Sequence, residues 1–293
     1  KSIVLETSSR GFFHQIPKLS LKGTIEKTFT LNQVRPGVFH TPPMNIETLK
    51  GIEKAVFLMS GSAEREIHFS FNPGIADGIN NVKTLSKDKK CELQVTENTF
   101  FDTTSFWIEH VKHPIKVKNG RLVSSVYQLQ PFDRALQDTA RVSIKLKDSE
   151  SFNNKGLFYY DQKKGWTYLV TSFSLLNQTL SSSIYSLEAV AIIEDTIPPK
   201  IYDFTPGSQG NYMAEDLLMI TGKIKDDLSG ISGNRGIDIS LNGEKLLFDY
   251  QPIKNEVRYK INGTLDSGSY SLKISARDQI GNKIEKTIEF SIN

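Results

Sequence analysis

The stretch EDTIPPKIYDFTPGSQG, residues 194–210, decides the fold. An acidic pair, Glu194-Asp195, runs into the double proline Pro198-Pro199. Alternation restarts at Ile201, Tyr202, Asp203 and Phe204, and Pro206-Gly207 turns it. Proline has no N–H to donate to a sheet ladder and holds φ at about −65°. The residue before a proline is pushed to an extended form, so Ile197 is restrained as well. An upstream sheet therefore ends here, a stiff extended connector follows in place of a flexible hinge, and a second folded unit begins.

Downstream of this seam the patterning has period 2. SGSYSLKISARD (267–278) puts Tyr270, Leu272, Ile274 and Ala276 on one face and Ser271, Lys273, Ser275 and Arg277 on the other. NKIEKTIEFSI (282–292) gathers Ile284, Ile288, Phe290 and Ile292 near one side. DISLNGEKLLF (238–248) contains Asn242-Gly243, a strong hairpin signal because both central residues of a type I′ turn need positive φ. Residues 197–293 are expected to form an immunoglobulin-like sandwich of about seven strands, without the Cys…Trp…Cys pattern of antibody domains.

Upstream, VSSVYQLQP (123–131), ARVSIKL (140–146), GLFYYD (156–161), GWTYLVTS (165–172) and IYSLEAVAII (184–193) read as strands. The last is nearly apolar throughout and is expected to be one central strand buried on both faces. YDQKKGW (160–166) reads as a polar hairpin loop. In the first 74 residues EKTFTL (26–31) and REIHFSF (65–71) alternate. The stretch 48–72 echoes 264–293: each opens on Thr-Leu and a Gly turn, then runs strand, polar turn, strand. The expected fold class is all-β, with tandem antiparallel β-sandwiches. The expected division is an N-terminal β region at 1–74, a candidate divergent Ig-like sandwich; a sandwich with an aromatic hairpin at 75–196; and the Ig-like sandwich at 197–293.

The bulk numbers narrow the function. With 293 residues there is enough chain for more than one core. A net charge of +3, from 36 basic and 33 acidic residues, gives no basic field for nucleic acid. A single cysteine, Cys91, excludes a disulfide framework or thiolate metal site within the chain. It alternates with Leu93 and Val95, which makes it a small core residue. No run approaches the roughly 18 apolar residues of a membrane helix. The opening KSIVLETSSRG has neither an initiator Met nor a signal-peptide core. The expectation is a mature or excised piece of a longer protein.

Two sets of residues together carry a resemblance. One is DTIPPKI with IKDDLSGI (224–231) and SARDQIGNK (275–283). The other is VTENTFFDTTSFWI (95–108), VYQLQPFDRALQDTARVSIKL (126–146), GLFYYDQKKGWTYL (156–169) and IYSLEAVAIIEDTIPP (184–199). The pattern resembles the β-sandwich modules that follow the peptidase domain in large bacterial lysostaphin-type zinc metallopeptidase-like envelope proteins. The last part resembles bacterial Ig-like domains. The middle module is similar to the sandwich of ankyrins, netrin receptors and adhesion-receptor autoproteolysis domains. The resemblance covers roughly residues 40–293, and its motifs are structural. The peptidase family's zinc motif resembles His-x-x-x-Asp with a later His-x-His, two imidazoles and a carboxylate leaving one position open. None of the histidines here, His14, His40, His68, His110 and His113, has Asp four residues on, and no two are separated by one residue. On a strand, His110 and His113 would point to opposite faces. The His-Leu-Ser/Thr cleavage tripeptide of the autoproteolytic domains is absent as well. Gly-x-Ser-x-Gly, Walker and Rossmann patterns are also missing.

Two candidate sites remain. In an up-and-down sandwich the ends of the second and sixth strands share a pole with the incoming linker. Asp226 and Asp227, Asp278 and Asn282, and the linker's Glu194 and Asp195 are expected to gather there, with calcium as the candidate ion. The competing reading is that Asp and Asn open tight turns by bonding their own backbone, with Gly230 and Gly281 supplying positive φ. The second set is aromatic: Trp107, Tyr159, Tyr160, Trp166 and Tyr168 could present a row of rings to stack on a glycan. The competing reading is core and domain packing. The functional expectation is a non-catalytic structural or positioning region of a bacterial cell-envelope or exported protein. It is extracytoplasmic, is accessory to a peptidoglycan peptidase domain outside this chain, and has the neighbouring domains of its own polypeptide as partners. The alternatives are a module binding glycan or cell-wall polymer, and a hydrolase with an unrecognised acidic site.

Overall fold

A computed structural model describes residues 2–8, 16–45, 49, 52–58, 65–68, 73–112, 115–132, 134–147 and 151–293. The described secondary structure is almost wholly strand, arranged in several largely antiparallel sheets with no α-helix. The protein is all-β. No described helix is long and apolar enough to cross a membrane. Two compact units make up the chain. One contains Lys1–His113, Val126–Lys145 and Ser181–Ala189; the other contains Pro114–Ser125, Leu146–Leu180 and Val190–Asn293.

In the first unit, Lys27–Thr30, Lys18–Gly23, Ile52–Leu58 and Arg65–His68 form a four-stranded antiparallel sheet. Glu6–Ser8, Val38–His40 and Asn32–Arg35 form a three-stranded one. Leu19, Leu21, Leu31, Phe39, Met44, Leu49, Ile52, Ala55 and Phe57 fill a common core. The strands Ile52–Leu58 and Arg65–His68 pair as a hairpin, as do Gly268–Arg277 and Lys283–Ile292, the two halves of the sequence echo. The turn of the first hairpin, 59–64, lies outside the described residues.

Elsewhere in this unit Cys91–Val95 alternates strictly. Cys91, Leu93 and Val95 are buried, with Glu92 and Gln94 half-exposed between them. Burial pushes the Cys91 thiol well above its ordinary range, reinforced by the charges of Asp88 and Glu92. It is therefore held as an un-ionised apolar residue.

The second unit contains the aromatic hairpin Lys155–Asp161 with Gly165–Leu169. Asp161 accepts hydrogen bonds from the Lys163 and Lys164 amides and so shapes its tight turn. The expected single strand over 184–193 is two strands. Thr179–Ser186 ends before Leu187-Glu188, and Ala189–Glu194 begins after them. The break falls at Ser186 and Glu188, the polar residues of an otherwise largely apolar stretch. Residues Ala189 to Ile193 are all buried, and Leu122 pairs with Ile193.

Lys200–Thr205, Met219–Lys225, Glu256–Lys260 and Asp249–Gln251 form, in that order, a four-stranded sheet. Gly210–Tyr212, Lys283–Ile292, Gly268–Arg277, Ile237–Leu241 and Glu244–Lys245 form the facing five-stranded one. With chain-order letters these are ABED and A′GFCC′, the immunoglobulin-like arrangement. Gly210–Tyr212 pairs parallel to the last strand, so the first strand serves both sheets. Ile201 and Phe204 are both buried although three residues apart. A bulge reconciles them: Asp203 adopts φ +52°, and the register against Met219–Lys225 shifts between Tyr202 and Thr205. Phe204 then lies over Gly222, where a Cβ would run into its ring. The core runs from Ile201 and Phe204 through Leu217, Ile220, Ile224, Val257, Leu272 and Ile274 to Phe290.

Candidate functional site

The second unit brings the linker to the pole formed by two loops of its C-terminal sandwich. These loops, 226–236 and 278–282, are joined by a hydrogen bond from the Gln279 amide to the Gly230 carbonyl (2.9 Å) and by a bridge between Ile231 and Asp278. Asp195 is fully buried here. Its Oδ1 accepts from the Ile197 amide at 3.1 Å and its Oδ2 from the Ser229 amide at 3.2 Å. Asp226 Oδ1 accepts from the amides of Leu228 (3.0 Å) and Gly230 (2.6 Å) and from Ser229 Oγ (3.3 Å). Asp278 Oδ1 accepts from three successive amides, Ile280 (3.0 Å), Gly281 (2.6 Å) and Asn282 (2.8 Å).

Of the six residues expected to gather, three carboxylates do so. Asp195, Asp226 and Asp278 each offer an oxygen within 4.8 Å of the others, and among the described residues they are the one group of acidic, His or Cys side chains close enough to hold a metal ion. Burial raises the Asp195 carboxyl above its ordinary range, and the charges of Asp226 and Asp278 push the same way. Asn282 joins through its amide. Its Nδ2 donates to the Asp195 carbonyl (2.8 Å) and to Asp278 Oδ2 (2.7 Å), and its Oδ1 accepts from Asn154 Nδ2 (2.8 Å).

Asp227 and Glu194 are committed elsewhere. Asp227 is bracketed by Lys200 (2.7 Å) and Lys225 (2.6 Å), and these contacts hold its carboxyl below the usual range. Glu194 accepts from Arg121 Nε (2.7 Å) and from the buried Lys155 (3.0 Å), and its carboxyl is likewise lowered. Each has two cations within ion-pair distance, so neither is drawn to an acid-only centre.

A cavity of about 250 Å³ opens beside the cluster, lined by Asn119, Asp195, Pro198, Lys200, Asp226 and Leu228 among others. Two glycines allow the close approach around it. At Gly120 a Cβ would come within 2.5 Å of Leu228 Cδ2 and 2.9 Å of the Glu194 carbonyl oxygen. At Gly156 one would meet the Tyr168 ring at 2.6 Å and Ile280 at 3.4 Å. Nothing in the local sequence pointed to Asn154, Ser229, Lys155 or Arg121 at this site. Asn154 carried one signal, the Asn-Asn-Lys-Gly turn in which it adopts φ +56°, but nothing local says that the turn reaches Asn282.

The aromatic residues do not form one exposed row. Tyr160 is opposite Trp166 and Phe158 opposite Tyr168, which puts these four on one face of the hairpin in two edge-on contacts with centroids 5.5 Å apart. Phe158 is fully buried and Trp166 is 9% exposed, so Trp166 has no open ring face for a sugar. Tyr159 points to the opposite face beside Thr167. Trp107, in the first unit, donates its indole N–H to Glu109 Oε1 at 2.7 Å. Of the histidines, His40 contacts Glu6 (2.9 Å) and His110 contacts Asp88 (3.4 Å). His14, His113 and the His68 side chain lie outside the described residues.

No protein-family profile and no curated protein matches this sequence. Among solved structures, the chain is similar to CopC from Methylosinus trichosporium OB3b, at 18% identity and a TM-score of 0.26, covering 32% of this chain and 93% of that one. It is similar to the dimeric latent PorU from Porphyromonas gingivalis at 9% identity and a TM-score of 0.26, covering 96% of this chain and 20% of that one. Extracellular domains 3–5 of Drosophila OTK align at 11% identity and a TM-score of 0.21, over 100% of this chain and 92% of that one. Superpositions this loose carry no functional argument. The chain's own sheets identify an all-β protein ending in an immunoglobulin-like sandwich.

Proposed function

We propose that this chain is a non-catalytic structural segment of an extracytoplasmic protein of the bacterial envelope or secretome. It holds neighbouring domains of its own polypeptide, a peptidoglycan peptidase domain among them, in fixed orientation. The observation that carries this reading is the Asn282 bridge, which ties the linker carbonyl of Asp195, the loop acid Asp278 and the turn residue Asn154 into one joint. The carboxylates support it too, since their oxygens are largely taken by backbone amides, which favours a fastening over an acid–base pair. In the full chain, Asn282→Ala is expected to increase hydrogen exchange at the Ile197 and Ser229 amides while the strand Lys283–Ile292 stays protected. Unchanged protection at those two amides would overturn the reading. So would release of peptidoglycan fragments by this chain that is lost in Asp195→Asn.

A second reading is favoured by the proximity of Asp195, Asp226 and Asp278: the joint binds Ca²⁺, which takes 6–8 oxygen ligands in a flexible shell. Asp226→Asn keeps an acceptor for the turn and removes one charge. On this reading, millimolar Ca²⁺ raises the melting temperature of the native chain by several degrees, and Asp226→Asn abolishes most of that rise. A melting curve indifferent to Ca²⁺ leaves the carboxylates as turn-formers alone.

A further inference from the structure

The sequence contains three Asn-Gly pairs, Asn119-Gly120, Asn242-Gly243 and Asn262-Gly263. Glycine puts no side chain in the way of its own backbone nitrogen and leaves the backbone free to turn. That nitrogen can therefore approach the preceding asparagine side chain, provided the local structure lets it.

The surroundings of the three pairs differ. In the first, Asn119 is exposed as well, but Gly120 lies close against Leu228, the Glu194 carbonyl and Ile193 and leads directly into the paired strand Arg121–Leu122. In the second, Asn242 is pinned twice: its amide donates to the Ser271 carbonyl at 2.8 Å and its Oδ1 accepts from the Ser271 amide at 2.8 Å. Asn262 is exposed, and its side chain makes no hydrogen bond among the described residues. Gly263 is at φ +82°, with open space where a Cβ would be. The nearest anchor is the preceding residue, buried Ile261, whose amide donates to the Leu218 carbonyl at 3.0 Å.

We propose that Asn262-Gly263 is a self-modification site of this protein, with water as the co-reactant. The deprotonated Gly263 nitrogen attacks Asn262 Cγ. The new N–Cγ bond closes a five-membered succinimide, and the Cγ–Nδ2 bond breaks, with the nitrogen leaving as ammonia after taking a proton from water. A water molecule then opens the ring at either carbonyl, giving aspartate or isoaspartate. The sum is one amide and one water converted to one carboxylate and one ammonium ion. The change lowers the chain's net charge by one unit at an exposed bend and leaves the core anchor at Ile261 in place.

The test is to age the full chain in mildly alkaline buffer and follow the three Asn-Gly peptides by mass spectrometry, with isoaspartyl methyltransferase labelling as a second readout. The peptide containing Asn262 is expected to gain about 1 Da several-fold faster than the other two. Asn262→Gln is expected to remove most of the methyl label with no loss of melting temperature. Conversion at Asn242 or Asn119 as fast as at Asn262 overturns the proposal. So does an intact Asn262 after a time in which an unstructured Asn-Gly peptide has fully reacted.

Discussion

At the residue scale, Phe204 and Gly222 show how one side chain fixes another's identity. Alternation in Ile201 to Phe204 would send these two apolar residues to opposite faces of a regular strand. The extra residue at Asp203 turns both inward, and Phe204 then occupies the space above Gly222. Gly222→Ala puts a methyl group into that ring and is expected to destabilise the protein by about 1–3 kcal/mol, measured by chemical denaturation. Gly222→Ala paired with Phe204→Leu should recover part of the loss, because the ring is what obstructs the methyl. The sequence shows a glycine in a strand and an alternation three residues out of phase. Neither says that the two compensate, because they belong to different strands.

At the element scale, the short strand Arg121–Leu122 is held by its pairing with Ile193 and Glu194 and by the notch at Gly120. One obstruction at that notch is a backbone oxygen, which cannot swing aside as a side chain can. Gly120→Ala is therefore expected to cost about 1–3 kcal/mol and to raise hydrogen exchange in both paired segments. An unchanged stability would mean that the notch is not close-packed. This strand was hidden because two residues are too few to carry a period, while the alternation beside it, Ile115 to Lys118, forms no strand. The strands of the C-terminal sandwich were legible, because one solvated face gives clean period-2 patterning. Ala189–Glu194 was legible as buried, but its start was not, because a strand covered on both faces loses the period.

At the scale of the whole molecule, the joint makes stability depend on pH in two opposed ways. The Asp195 carboxyl is raised in the folded state by burial and by the Asp226 and Asp278 charges. A raised carboxyl contributes stability that is fully present below its unfolded value and is lost as pH rises through its folded value. Asp227 and Glu194 are lowered by their cations, so their contribution is present above their unfolded values and is lost as pH falls through the folded ones. Asp195→Asn removes only the first effect. The native protein's melting temperature, relative to that of the variant, is expected to fall as pH rises from about 4 towards about 7. A parallel pair of curves over that interval would show that Asp195 titrates no differently in the folded chain.

By itself, the sequence determined that this protein is β-rich, that the chain stops pairing at Pro198 and Pro199, and that residues after them form an immunoglobulin-like sandwich. These follow from covalent geometry and side-chain period, which act over a few residues. It also led to the expectation that Glu194, Asp195, Asp226, Asp227, Asp278 and Asn282 share one pole, since strand direction fixes which loops share an end; three of the five acids meet there. Only the tertiary structure decided which acids stay together. Lys155, Arg121, Lys200 and Lys225 draw Glu194 and Asp227 away, and Asn282 joins the linker to Asn154 across 128 residues of sequence. Electrostatic pairing and burial depend on distance in space, and for residues so far apart in the chain that distance exists only once the fold has formed.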